Sequence, residues 1–136
     1  IDEIIEASKL ASAHQFITNL PYKYDTYIYN NSGLSEGEIQ LINIARIMLQ
    51  KPPILIFDEA TSNIDLLTEN LIQNATKKLT KHSTSIIIAH RLSTIKSCDL
   101  IVFLENGKIV EMGTHNELLN KKGYYYNMYN TQFTIQ

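Results

Sequence analysis

Two adjacent carboxylates, Asp58 and Glu59, directly follow a short apolar run at residues 54–57. Pro52 and Pro53 precede this run, and an apolar run that begins after turn residues predicts a strand buried on both faces of a parallel sheet. Ligands of open α/β folds bind at the carboxyl ends of such strands. The two acids are therefore candidates for chemistry; the alternative is that they cap the next helix or lie in solvent.

The chemistry that two such acids can perform is the Mg²⁺-dependent hydrolysis of a phosphate compound. One carboxylate can hold Mg²⁺, usually through water, while its neighbour polarises an attacking water. In this interpretation, which corresponds to a Walker B motif, Asp58 binds the metal and Glu59 activates the water.

A histidine, His90, follows a second apolar run at residues 84–89. If both runs are buried strands of one parallel sheet, their ends lie at the same edge and His90 lies near the two acids. A single histidine at a strand end can also be a hydrogen-bonded structural residue. The residues alone leave both interpretations open.

The segment LSEGE at residues 34–38 precedes a helical pattern with an apolar face that extends to Leu49. Ser35, with Glu38 three residues later, predicts an N-cap and a capping box. A helix N-terminus preceded by small residues can also bind an anion, because its free N–H groups and the helix dipole point at the ligand. A structural role and an anion-binding role both stay open here.

The remaining patterns predict the elements that must position these residues, and their order indicates an α/β fold with helices beside a parallel sheet. We expect one or two amphipathic helices at 1–20 ended by Pro21, a loop at 22–33, a helix at 66–79 with Asp65 near its cap, a short helix at 92–96, strands at 99–104 and 108–112 joined by an Asn-Gly hairpin, a short helix capped by Thr114, and a terminal helix at 123–133.

Composition excludes several classes of protein. The 136 residues are enough for one ordinary domain, and the net charge of −2 gives no sign of nucleic-acid or membrane-surface binding. The single cysteine, Cys98, excludes an internal disulfide and a Cys-rich zinc site. No apolar run approaches the roughly 20 residues that span a bilayer. Because Ile1 begins inside a helical pattern, we expect the chain to be part of a longer protein.

Taken in order, these motifs resemble the ATPase domain of an ABC transporter. LSEGE resembles the signature sequence LSGGQ, ILIFDEATSNID at residues 54–65 resembles Walker B and the D-loop, and SIIIAHRL at residues 85–92 resembles the H-switch strand. The segment at residues 99–119 is similar to the family's C-terminal tail. The resemblance covers essentially the whole chain. The segments DEATS and AHRLST are similar to the corresponding sequences of the exporter branch.

The resemblance implies ATP and Mg²⁺ as ligands, at a site shared by two subunits. On one face, Asp58 would hold Mg²⁺ through water. Glu59 and His90 would be catalytic, with Glu59 as the general base and His90 at the γ-phosphate. Such chemistry is mostly positioning and charge stabilisation, which suits residues on rigid strand ends.

On the other face, the resemblance implies contacts to the ATP that the partner subunit binds. Ser35, Gly37 and Glu38 would form these cofactor contacts at the signature, and Asp65 in the D-loop would link the two sites. The signature of this chain carries Glu36 in place of a glycine and Glu38 in place of a glutamine.

No G-x-x-x-x-G-K-[ST] sequence occurs in the 136 residues. The resemblance therefore implies the C-terminal half of an ATPase domain: a P-loop NTPase-like parallel sheet flanked by helices, incomplete because the Walker A strand is absent, with part of the helical subdomain. We expect the helical part at residues 1–51 and the α/β core at residues 52–136. The missing strand would lie between the strand of His90 and the strand at 99–104.

The function that the resemblance implies is ATP-driven export of a peptide, lipid or drug, at the cytoplasmic face of the cell membrane. The implied partners are a second ATPase domain, in a homodimer or heterodimer, and the transmembrane domain of the same transporter. The 136 residues alone are expected to be inactive. Two alternatives stay open: a degenerate ATP-binding module with a regulatory, dimerising role, and an ABC-type ATPase of DNA repair or chromosome maintenance.

Overall fold

The structure, a computed structural model, describes residues 1–29, 33–58, 64–81, 83–89 and 92–133. The elements in these ranges are α1 Asp2–Leu10, α2 His14–Asn19, a 3₁₀-helix Lys23–Asp25, α3 Glu36–Gln50, β1 Ile54–Asp58, α4 Leu66–Thr80, β2 Thr84–Ile88, α5 Leu92–Ile95, β3 Ile101–Glu105, β4 Lys108–Gly113, α6 His115–Lys121 and α7 Tyr124–Phe133. This mixture of helices and strands confirms the predicted α/β class. The chain divides into two compact units, Ile1–Ile88 and Ala89–Gln136.

In the first unit, β1 and β2 form a two-stranded parallel sheet that packs against helices. The register runs from Ile54↔Thr84 to Asp58↔Ile88, so the two strands have the same direction and their carboxyl ends are level. α3 packs against both α1 and α4. The buried core of this unit consists of Ala11, Ala13, Ile17, Leu41, Ile42, Ile44, Ala45, Leu55, Ala75 and Leu79.

The prediction that β1 and β2 are buried on both faces is wrong. Leu55 is buried in the core, whereas Ile56 is 71% exposed and Ile86, its partner on β2, is 56% exposed. Successive side chains of a strand point to opposite faces. The core described above covers the face of Leu55, and no element within the described residues covers the face of Ile56.

The helical pattern at residues 1–20 forms two helices because the chain turns between α1 and α2. Ser12 adopts a left-handed conformation with φ of 61°. Ala11 and Ala13, on either side of it, are fully buried. α2 ends at Asn19, and Leu20 is extended, as expected for the residue before Pro21.

Three polar side chains connect α1 to the segment after α2. The Ser8 hydroxyl donates to the carbonyl oxygen of Ile5 at 2.7 Å and also forms a short hydrogen bond with the hydroxyl of Tyr24. Nδ1 of His14 lies 2.8 Å from the same Tyr24 hydroxyl. Because Ser8 is buried, these contacts satisfy a polar group that would otherwise destabilise the core.

In the second unit, β3 and β4 form the predicted antiparallel hairpin. Asn106 and Gly107 connect the strands with φ of 49° and 74°, and a two-residue type I′ turn requires positive φ at both positions. β3 begins at Ile101 and not at Asp99, where the strand was predicted to start. The hairpin itself is therefore confirmed, with a later start.

Helices α6 and α7 pack beside this hairpin. Thr114 caps α6 as predicted: its hydroxyl accepts from the Glu117 amide, and the Glu117 carboxylate accepts from the Thr114 amide at 2.8 Å. Tyr125 of α7 is fully buried and packs in a cluster with Ile101 and Leu118. Its hydroxyl oxygen lies 2.7 Å from Nδ1 of His115. Tyr125 is thus a packing residue, as its place in the helical pattern predicts.

Each sheet has an unpaired edge within the described residues. Among the described strands, β1 and β2 pair only with each other, and so do β3 and β4. None of the helices in the described ranges is both long enough and apolar enough to cross a membrane. The subdomain boundary between residues 51 and 52 stays a prediction, because contacts divide the chain between Ile88 and Ala89.

Candidate functional site

Asp58 is the last residue of β1, and its side chain is exposed. It pairs in register with Ile88, the last residue of β2. The two strands thus end at one edge of the sheet, the edge at which the sequence predicts chemistry. Glu59 follows Asp58 directly and His90 follows Ile88 by two residues, but both lie outside the described residues. Their predicted catalytic roles stay predictions.

Ser35 and Glu38 form the predicted capping box at the start of α3. The Ser35 hydroxyl accepts from the Glu38 amide at 3.2 Å, while the Glu38 carboxylate accepts from the amide and the hydroxyl of Ser35 at 2.8 and 3.0 Å. The structural interpretation of these two residues is therefore confirmed. The amides of Glu36 and Gly37 belong to the first helical turn, where geometry gives them no acceptor inside the helix.

Gly37 is buried between α3 and the start of α4. A Cβ atom added to it would lie 2.3 Å from Cγ2 of Thr68 and 3.3 Å from Cγ2 of Ile64. Real Cβ atoms do not approach carbon atoms as closely as the first of these distances, so a larger residue at position 37 would force Thr68 to shift. The resemblance predicts a nucleotide contact for Gly37; the structure adds a packing role that the sequence did not indicate.

Asp65 is the N-cap of α4, as the sequence predicts. Its Oδ1 accepts from the amides of Leu67 and Thr68 at 3.1 and 3.0 Å. The side chain of Thr68, followed by its amide, lowers the pKa of Asp65. The carboxylate is exposed and is held in its charged form by these donors.

The structure brings the start of the signature helix together with the end of the D-loop. Gly37 on α3 faces Ile64 and Thr68, on either side of Asp65. Sequence reasoning missed Thr68. The signal that could have found it is its position three residues after Asp65, where the backbone amide donates to the cap.

Asp58 fits the predicted Mg²⁺ site in its chemistry. Within the described ranges, no group of three or more His, Cys, Asp or Glu side chains is arranged to hold a metal ion. Mg²⁺ bound with a nucleotide needs no such group, because one or two carboxylates, phosphate oxygens and water complete its shell. A single exposed carboxylate at a strand end is sufficient for that role.

The first unit also holds a cavity of about 420 Å³, between α1, α2, α3 and residues 23–28. It is lined mainly by apolar side chains. The hydroxyl of Thr26 is buried beside it and has no hydrogen-bond partner among the described residues. Ser35, Gly37, Asp58 and Asp65 do not line this cavity. It is therefore separate from the predicted nucleotide contacts.

Comparison with known proteins gives matches over almost the whole chain. The family model described as ABC transporter matches residues 3–62. YfiC of Bacillus subtilis strain 168, named as an ABC transporter ATP-binding protein, is 52% identical over 132 residues, which is 96% of this chain and 22% of that protein. A Staphylococcus aureus protein of strain NCTC 8325, which carries the name of a multidrug export ATP-binding/permease protein, is 53% identical over 96% of this chain and 23% of its own length.

Among solved structures, a bacterial Atm1-family ABC exporter with ATP bound matches with a TM-score of 0.82. It is 42% identical to this chain, and the match covers 97% of this chain and 23% of that one. The chain thus spans less than a quarter of the length of these relatives.

Proposed function

Because this chain belongs to the ABC transporter family, as part of an ATP-binding domain of the exporter type, we propose that its intact protein hydrolyses ATP to drive export across a membrane. The observation that carries the proposal is the position of Asp58 at the carboxyl edge of a parallel sheet. The names of the relatives favour transport over chromosome maintenance. A peptide, a lipid or a drug would be the exported substrate.

The catalytic part of the proposal assigns one task to each residue at the sheet edge. Asp58 would hold Mg²⁺, which when bound neutralises the charge of the phosphates. Glu59 would accept a proton from the attacking water. His90, on the neighbouring strand end, would hold the γ-phosphate and the water in line.

A second ATPase domain would complete the site. Ser35, Gly37 and Glu38 would face the ATP of the partner subunit, and Asp65 would link the two nucleotides. The packing of Gly37 against the segment after the D-loop supports a common surface for these residues. The further partner would be the transmembrane domain of the same transporter, with this domain at the cytoplasmic face of the membrane.

The test of this function is the substitution Glu59→Gln in the intact protein. The amide keeps the shape of the side chain but cannot accept a proton, so we expect ATP turnover to fall by about 10²–10⁴-fold. Glu6→Gln, at an exposed position of α1, is the matched control and should leave turnover unchanged. Wild-type turnover in the Glu59→Gln protein would show that another group acts as the base.

We also propose that residues 1–136 alone do not hydrolyse ATP. The sequence holds no G-x-x-x-x-G-K-[ST] segment, whose backbone and lysine bind the β- and γ-phosphates. The affinity of the chain for Mg·ATP should be no better than about 1 mM, which corresponds to about 4 kcal/mol of binding free energy. Calorimetry that finds micromolar binding would contradict this expectation.

A regulatory module that binds ATP without efficient turnover is the second candidate. The observation in its favour is the pair Glu36 and Glu38, which places two carboxylates in the first turn of α3. Since phosphates are also negatively charged, the signature would then bind the partner's ATP weakly. An intact protein that dimerises with ATP but does not turn it over would support this candidate over the exporter ATPase.

A further inference from the structure

Thr68 contacts two predicted functional segments, one through its backbone and one through its side chain. Its amide donates to Oδ1 of Asp65, the cap of α4, at 3.0 Å. Its methyl carbon, Cγ2, occupies the space in front of Gly37, 2.3 Å from where a Cβ of that residue would lie. Among the described residues, no other side chain comes as close to that position.

The methyl and the amide of Thr68 belong to one residue, so the two contacts depend on each other. The hydrogen bond of the amide fixes the backbone of Thr68 at the cap of α4. Because χ1 is restricted to staggered rotamers, the methyl has few alternative positions. A displacement of the cap therefore also moves the methyl that faces Gly37.

We propose that Thr68 is a positioning residue that holds the signature turn of α3 and the D-loop cap of α4 in one fixed arrangement. The inference rests on the proposed function, in which Ser35, Gly37 and Asp65 all face the partner subunit. With the methyl seated against Gly37, both segments meet the partner's nucleotide as one surface. In this role Thr68 would itself contact neither nucleotide nor metal.

Two substitutions separate the two sides of Thr68 in the intact protein. Thr68→Ser keeps the hydroxyl and removes the methyl; Thr68→Val keeps the methyl and removes the hydroxyl. We expect Thr68→Ser to raise the ATP concentration for half-maximal turnover about three- to tenfold, since a misplacement of about 1 Å can cost up to about 100-fold. Thr68→Val keeps the methyl against Gly37, so its ATP dependence should stay close to that of the wild type even if its melting temperature falls.

A role in stability alone would give a different result, because ATP dependence would then follow melting temperature in both variants. Equal shifts in both variants, or no shift in Thr68→Ser, would overturn the proposal. The comparison is specific, because the two variants differ only in whether residue 68 loses its methyl or its hydroxyl.

A compensation experiment tests the contact without any measurement of activity. Gly37→Ala should lower the melting temperature, and the loss should shrink by about half or more in a Thr68→Ser background, where the opposing methyl is gone. Thr68→Val retains that methyl and should give no such relief. Losses that simply add would overturn the contact, whereas a wild-type protein without ATP turnover would overturn the proposed function and leave the compensation result valid.

Discussion

The carboxylate of Glu38 is engaged within its own helix, which limits what its charge can do at a nucleotide. It accepts from both the amide and the hydroxyl of Ser35. To reach a phosphate, it would have to give up these bonds and approach a like charge, which costs about 1 kcal/mol at 4 Å in water and about 4 kcal/mol at an effective dielectric of 20. We therefore expect Glu38 to stay in the capping box.

Asp65 gives a pH dependence at the scale of a single residue. Its pKa is lowered in the folded state, so its contribution to stability is complete above the pKa of the unfolded chain, about 4, and is lost as pH falls from there through the lower folded-state pKa. Urea unfolding of the wild type and of Asp65→Asn, followed from pH 7 to pH 2, measures this contribution. We expect the difference between them to shrink in acid.

The amide and hydroxyl of Thr114 lower the pKa of Glu117. The contribution of Glu117 to the stability of the second unit should therefore also be lost in acid. Glu117→Gln is therefore the parallel variant, because an amide can still accept in a capping box.

A difference between Asp65→Asn and wild type that stays constant across this pH range would show that the carboxylate charge at α4 does not contribute.

At the scale of elements, β1 has one covered and one open face, and the two faces should respond differently to truncation. Leu55→Ala removes a buried side chain and should cost the 136-residue chain about 2–5 kcal/mol of unfolding free energy. Ile56→Ala, its neighbour on the open face, should cost less than about 1 kcal/mol. Denaturant unfolding measures both, and equal losses would contradict the one-sided burial.

The sequence predicts local features of the elements well, because their causes are local. The capping boxes of α3 and α6 and the turn at residues 106–107 follow from residue types at short spacing. The open face of β1 could not be predicted. An apolar run shows that a strand can be buried, but it does not show whether a helix or sheet packs on each face. Lys51 ends α3 in a left-handed conformation with φ of 47°, where the sequence offers no glycine as a signal.

The candidate site shows the same limit. Asp58 and Ser35 are identified by their own surroundings in the sequence, whereas the roles of Gly37 and Asp65 come from the family resemblance. The contact between Gly37 and Thr68 joins residues far apart in the chain and depends on how α3 meets α4. A contact of this kind is a property of the packing, and no local pattern encodes it.

For the whole molecule, the open sheet face and the unpaired strand edges predict association of the 136-residue chain. Ile56 and Ile86 form an exposed cross-strand pair beside the free edge of β2. Such edges and faces favour pairing with another copy. We expect sedimentation velocity to detect concentration-dependent oligomers, and Ile86→Lys to reduce them because a charge on the face opposes contact.

The control for association is Glu105→Lys at the exposed end of β3, which adds positive charge without removing an apolar side chain from that face. The Glu105→Lys chain should therefore form more oligomer than the Ile86→Lys chain at the same concentration. A clean monomer at all concentrations, with a sharp melt, would show that the open face and the free edges do not drive contact between copies.

The contacts among Ser8, Tyr24 and His14 also decide which ring nitrogen of the imidazole carries hydrogen. Ser8 has one hydroxyl hydrogen and donates it to Ile5, so it must accept from Tyr24. Tyr24 has then used its own hydrogen, and its oxygen must accept from Nδ1 of His14. The neutral ring therefore carries its hydrogen on Nδ1, and Nε2 is the nitrogen with the lone pair.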